Sequence, residues 1–153
     1  MKWIVAMLAV GLIAAVGIAA DDDGKAEMKK LEGTWDVVSI VLSGMKADGT
    51  KGMPDKAVVK DGKATFLSEG KEMKTFRDLK IEFVPKKTPQ AVDLTQEGKV
   101  TLPCIYEVTA EGLKLAIPMV SQVGQPRIAL TRPESFDSKD KPFLVLTAKR
   151  SKE

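Results

Sequence analysis

The sequence predicts an all-β domain. The expected form is a single antiparallel up-and-down β-barrel of about eight to ten short strands, preceded by a short N-terminal helical turn. Three observations carry this. From Gly33 onward the apolar residues recur with a period of two rather than 3.6. Turn dipeptides punctuate the apolar runs: Asp48-Gly49, Asp61-Gly62, Glu69-Gly70, Glu97-Gly98 and Glu111-Gly112. No long helical pattern intervenes, so successive strands must be joined by hairpins, with Asp61-Gly62 and Glu111-Gly112 placed for the tightest of them.

The chain opens on Lys2 and an uncharged apolar run, Trp3–Ala20, that ends in Gly17-Ile18-Ala19-Ala20 before Asp21-Asp22-Asp23. A basic start, an apolar stretch and a small-residue cleavage zone predict a secretory signal peptide over residues 1–20. Cleavage after Ala19 sets Gly17 at the third position before the cut. Cleavage after Ala20 sets the bulkier Ile18 there. The same run is just long enough, at ~20 residues, to be retained as a membrane anchor. A lipoprotein signal would need a Cys at the cleavage site, and the one Cys is Cys104. The expectation is therefore a secreted or periplasmic protein, not a lipoprotein, without stable membrane insertion once the signal is removed. Asp21-Asp22-Asp23-Gly24 does not make a calcium loop: with Gly24 sixth, Ala19 is first and Lys30 twelfth, where acids are required. Residues 21–32 read as a polar leader with a helical turn over about 25–31, its acidic start suiting a helix N-terminus.

Residues 33–150 form the predicted barrel domain. Its first strand runs from Gly33 through Val37, Val38, Ile40, Val41 and Leu42. Strand-like pieces follow at 57–60, 64–68 and 72–76. Leu79, Ile81 and Phe83 then alternate with Lys80 and Glu82, and 91–95 is strand-like again. Val100, Leu102, Cys104, Tyr106 and Val108 alternate with Thr101, Pro103, Ile105 and Glu107. Leu113, Leu115 and Ile117 alternate with Lys114 and Ala116; a piece at 127–131 precedes the last strand, 143–149, where Leu144, Leu146 and Ala148 share a face. Residues 44–56, 118–126 and 133–142 read as longer loops.

Composition narrows the chemistry. The 153 residues hold one domain. There is no His, which removes the commonest general base and metal ligand. One Cys makes no internal disulfide, and about 130 residues bury an adequate core without one. Cys104 shares a face with Leu102, Tyr106 and Val108, so it reads as a buried structural thiol rather than a nucleophile. The 24 basic and 21 acidic residues interleave, which argues against a nucleic-acid face. Stacking aromatics are few, with five Phe, one Tyr and, beyond the predicted signal segment, one Trp, and the strand count is too high for an oligonucleotide-binding barrel. Asp93, Glu107 and Glu82 alternate with apolar residues and point outward by pattern; a carboxylate-dependent hydrolase would need two acids facing one pocket, and no spacing singles out a pair. No catalytic residue, metal site or cofactor is expected, and the chain is expected to be a monomer.

Gly33-Thr34-Trp35 follows the helical turn and opens the first strand, while the final strand ends in Lys149-Arg150. This arrangement resembles lipocalin-like barrels, in which a Gly-x-Trp on the first strand meets an Arg or Lys from the end of the last strand at the closed end. The resemblance implies that Gly33 permits close approach, that Trp35 plugs the barrel floor, and that Arg150 stacks on the indole as a cation–π pair. The domain is also similar to a family of small exported proteins of uncharacterised function, abundant in Planctomycetes and lipocalin-like in fold. The matching stretches are LEGTWDVVSI (31–40), PQAVDLT (89–95), IYEVTAEGLKLAI (105–117), RPESFDS (132–138) and FLVLTAKR (143–150). The hairpin Thr109–Gly112 departs from that family's Asp-Gly-Asp type, and Ala116 stands where the family often has Cys. The resemblance implies a fold and an export route and supplies no catalytic residues.

On this reading the barrel binds a small apolar or amphipathic ligand without catalysis, by partition into an apolar interior. Phe66, Leu79, Ile81, Leu102, Tyr106, Leu115 and Leu146 are the candidate lining. Arg127 and Arg132 bracket Ile128–Leu130 and are candidates to meet an anionic group at the mouth, with Arg132, inside the family stretch, the better placed. Met45, Met53 and Met119 fall in loops, where flexible thioethers suit an adaptable apolar mouth. The same apolar residues would equally fill a cavity-free barrel acting as a structural or protein-interaction module of the cell envelope.

Overall fold

The computed structural model describes residues 19–47, 49, 51–96, 101–119 and 130–152. Helix α1 (Ala19–Leu31) is followed by β1 (Gly33–Leu42), β2 (Met45–Lys46), β3 (Lys56–Lys60), β4 (Lys63–Ser68) and β5 (Lys71–Glu72). A 3-10 turn (Lys74–Phe76) leads to β6 (Leu79–Val84), β7 (Ala91–Thr95), β8 (Thr101–Thr109), β9 (Gly112–Pro118) and β10 (Phe143–Arg150). Among the described residues, β1, β3, β4, β6, β7, β8, β9 and β10 pair in that order, each antiparallel to the next, and β10 closes back on β1. The result is a closed up-and-down barrel of eight strands, with β2 and β5 as two-residue additions on β1 and β4. Closure satisfies the backbone groups that an open sheet would leave at its edges.

The hairpins follow from the turn residues. Asp61-Gly62 (φ 52° and 74°), Glu69-Gly70 (53° and 76°) and Ser43-Gly44 (48° and 83°) each place two positive-φ residues between paired strand ends. That is the geometry whose twist matches flanking strands, and Gly at the second position adopts it without a Cβ clash. Three expectations shift. The helical turn expected over 25–31 is the longer α1, with Lys29 and Lys30 in its last turn facing the negative end of the helix dipole. The piece at 72–76 is not a strand: after β5, the Met73 N–H returns to the Phe66 carbonyl at 2.8 Å and the chain turns through 74–76. Most of the piece at 127–131 lies outside the described residues, and Leu130 and Thr131 are not strand. The predicted signal segment lies outside them except Ala19 and Ala20, which begin α1.

Inward side chains from all eight strands form one apolar cluster, which holds Phe66, Leu79, Ile81, Leu102, Cys104, Tyr106, Leu115 and Leu146. Burial pushes the Cys104 thiol well above its ordinary value, so it stays protonated inside the barrel. Helix α1 covers one end through Leu31 and Met28. Tyr106 Oη donates to Glu27 Oε2 of that helix at 3.0 Å. Lys30, bonded to Glu27 at 2.6 Å, holds the Glu27 carboxyl below its ordinary value, helped by the Tyr106 hydroxyl. A carboxyl lowered by folding adds stability above its unfolded value of about 4.3, and that stability is lost as pH falls through the folded value. The thermal advantage of wild type over Glu27→Gln should therefore be present at neutral pH and shrink below pH ~4. A constant difference would show that the charge on Glu27 contributes nothing.

Ile105 and Ala116 alternate with the inward residues of β8 and β9, yet both are buried as well. Ala91, Ile105, Ala116, Phe143 and Val145 form a second apolar cluster on the outside of the barrel, packed against Phe136 of the segment 130–142. Lys114 Nζ lies 5.5 Å from the Phe136 ring centroid. The segment is pinned at its start by Arg132, whose guanidinium donates to the carbonyls of Val92 (3.2 Å) and Cys104 (2.6 Å) and to Asp93 Oδ1 (2.5 Å). It is pinned near its end by buried Ser138, whose hydroxyl accepts from the Gly44 N–H at 3.2 Å. Arg132→Ala should remove charge-assisted bonds of ~1.5–3 kcal/mol between the segment and the barrel. Limited proteolysis should then cut within 130–142 well before the barrel unfolds; unchanged resistance would show that Phe136 and Ser138 hold the segment without Arg132.

Candidate functional site

The two ends of the barrel differ. At the α1 end, Trp35 and Arg150 are direct cross-strand partners on β1 and β10. Trp35 is 1% exposed, and its Nε1 donates to the Leu31 carbonyl at 2.8 Å. The Arg150 guanidinium carbon stands 4.5 Å from the indole centroid. The same guanidinium donates to the carbonyls of Glu32 (2.8 Å) and Lys30 (2.7 Å), so it also satisfies backbone acceptors left free where α1 ends. At Gly33 (φ 124°) a Cβ would come within 3.0 Å of Arg150 Nη1. Gly33, Trp35 and Arg150 thus form one packed unit, and this end is shut.

The other end is open. Here the tips of β1, β9 and β10 bring Leu42, Ile117 and Leu144 around a cavity of about 320 Å³, with Phe66 of β4 at its side. Loop residues complete the wall: Met53 and Pro54 before β3, Met73 and Phe76 around the 3-10 turn, Pro118 and Met119 after β9. Among the described residues, Thr75 is the one polar side chain in that wall, and none of the lining residues is titratable. Such a surface binds by excluding water from apolar area, and its three Met side chains adapt to the shape of the guest. The volume is at the lower end of the range of ligand sites, ~300–1,000 Å³.

The predicted lining residues mostly lie deeper. Ile81, Tyr106, Leu115 and Leu146 surround a separate void of about 40 Å³ between the mouth and α1, and Phe66 borders both spaces. Leu79 and Leu102 are packed in the core cluster and line neither space. Of the predicted lining, only Phe66 touches the mouth cavity. Arg132 is a correction: it sits on the outer surface of β7 and β8, its donors committed to two carbonyls and to Asp93, and does not meet the mouth. Arg127 lies outside the described residues. Met53 and Met119 line the cavity. Met45, 70% exposed, instead borders an open groove between the β1–β2 turn and residues 136–140.

The candidate acids do not meet in the mouth. Glu82 and Asp93 are cross-strand partners on β6 and β7; Glu82 pairs with Lys80 at 2.7 Å and Asp93 with Arg132. Glu107 faces Lys114 across β8 and β9. Met73, Phe76 and Pro118 carry no signal in the sequence that would place them in a site, because loops distant along the chain bring them together. Comparison with family models, curated proteins and solved structures returned no match for this chain.

Proposed function

We propose that this chain is an exported, lipocalin-like barrel that takes up a small apolar or amphipathic molecule at its open mouth, without catalysis. The observation that supports this is the mouth itself: an accessible, almost wholly apolar cavity of about 320 Å³ at the end of a barrel whose other end is closed. Solvent-facing apolar walls of this kind lower their free energy when a guest covers them. The favoured guest is one apolar body without a charged group at depth, since the wall, among the described residues, offers no counter-charge.

Titration with the apolar probe N-phenyl-1-naphthylamine tests the proposal. The expected result is a saturable, blue-shifted rise in probe emission. The double substitution Met53→Glu/Met119→Glu puts two carboxylates into the apolar wall and should weaken binding at least ~10-fold, with an unchanged thermal midpoint because both residues sit on loops. Absence of saturable binding in the wild type would favour the filled-barrel reading, in which the chain is an interaction module. The observation behind that second reading is the inner void of only about 40 Å³.

A further inference from the structure

The mouth cavity and the inner void lie one behind the other, and Phe66 is common to both linings. The residue is 4% exposed. On the mouth side it meets Phe76 edge to face, with centroids 6.1 Å apart and planes at 76°. Across the sheet it pairs with Ala57, which borders the void alone. The space behind Phe66 is lined entirely by apolar side chains and Tyr106, so water gains little there. Phe76 stands on a three-residue turn with no buried residue and no side-chain cap, so the outer contact of Phe66 yields more readily than its inner ones.

We infer that Phe66 is the specificity-determining residue of the mouth site: it sets the depth to which a single straight apolar chain enters end-on. The guest class is a single-chain amphiphile, its tail along the barrel axis and its head in water. This rests on the mouth being a binding site. At ~30 Å³ for each heavy atom, the mouth cavity holds a tail of about ten carbons before it meets the Phe66 ring.

The test uses the full mature domain and displacement of N-phenyl-1-naphthylamine by straight-chain carboxylates, from hexanoate to hexadecanoate, below their micelle concentrations. In the wild type each added methylene should tighten binding about fourfold until the tail reaches Phe66, near decanoate, after which affinity levels off. Phe66→Leu opens the partition and should move the plateau about two methylenes further. Ala57→Val, which fills the void, should leave the wild-type plateau in place and cancel the shift when combined with Phe66→Leu. Phe76→Leu widens only the mouth and should leave the plateau length unchanged. If Phe66→Leu fails to fold, judged by Trp35 emission, Phe66→Met keeps most of the volume on a flexible chain and should move the plateau in the same direction. A plateau that stays put in the Phe66 variants, or moves equally in Phe76→Leu, overturns the role of Phe66 while leaving the mouth a binding site. Failure of the wild type to bind the probe overturns the binding reading itself.

Discussion

Trp35→Ala should destabilise the domain by about 3–5 kcal/mol, the range for removing a large buried aromatic, and should do so by opening the closed end. Three connections are lost together. The indole fills the floor at 1% exposure, its Nε1 holds the last carbonyl of α1 at Leu31, and its ring is the surface on which Arg150 lies at 4.5 Å. Without the ring, Arg150 keeps its bonds to Glu32 and Lys30 but loses its platform, and α1 loses its anchor to β1. Urea denaturation gives the magnitude. Binding of a hydrophobic dye at the α1 end, in excess of that at the mouth, shows where the opening occurs. Trp35→Phe should recover much of the packing but not the 2.8 Å bond to Leu31. Arg150→Ala should cost less, about 1–3 kcal/mol. Beyond the predicted signal segment Trp35 is the one tryptophan, so its emission should be blue-shifted in the wild type and move to the red in Arg150→Ala. An unshifted emission in Arg150→Ala, with stability intact, would show that α1 covers the floor without the guanidinium.

Gly112→Ala should be nearly as damaging, although it adds one methyl group to a hairpin. Gly112 is the first residue of β9, paired with Thr109 across the turn, at φ 155°. A Cβ there would stand 2.2 Å from the Ala148 carbonyl oxygen and 3.3 Å from its carbon. The obstacle is backbone of the neighbouring strand, which cannot swing aside as a flexible side chain would. Either the β8–β9 hairpin or β10 must move, and β10 carries Arg150 two residues on. A cost of about 3 kcal/mol or more is expected from overpacking and backbone strain combined. Gly70→Ala is the matched control. Its φ is 76°, also in the left-handed region, but a Cβ there meets nothing within 4 Å. It should cost only the local conformational term, ~1 kcal/mol. Equal losses at the two positions in thermal denaturation would show that φ alone, and not the approach of β10, requires Gly112.

These residues mark how far the sequence could be read. Gly33, Trp35 and Arg150 were legible through the resemblance to lipocalin-like barrels, which closing the meander, by bringing its first and last strands together, makes physically possible. Asp61-Gly62 and Glu69-Gly70 were legible because left-handed turns leave few residue choices. The burial of Ile105 and Ala116 was not legible, since alternation reports which face of a strand a residue occupies and says nothing of whether another segment covers that face. Arg132 was misread for the same reason: bracketing a short apolar piece does not reveal that two sheet carbonyls and Asp93 await its guanidinium. Phe76, read as part of a strand, became a wall of the mouth only when the chain turned at 74–76.

By itself the sequence determined the all-β class, the meander, the hairpin turns and the pairing of Trp35 with Arg150. The first three follow from local periodicity, from turn chemistry and from the topology they impose; the pairing follows from the resemblance to lipocalin-like barrels. Only the tertiary structure decided that the barrel interior is filled to about 40 Å³ around Tyr106 and Leu146, that the roomy space of about 320 Å³ lies at the mouth, and that Phe66 stands between them. The physical reason is that a cavity is what remains after side chains from every strand have packed. Its size is a difference between large volumes contributed by residues far apart in the chain, and no local pattern records it.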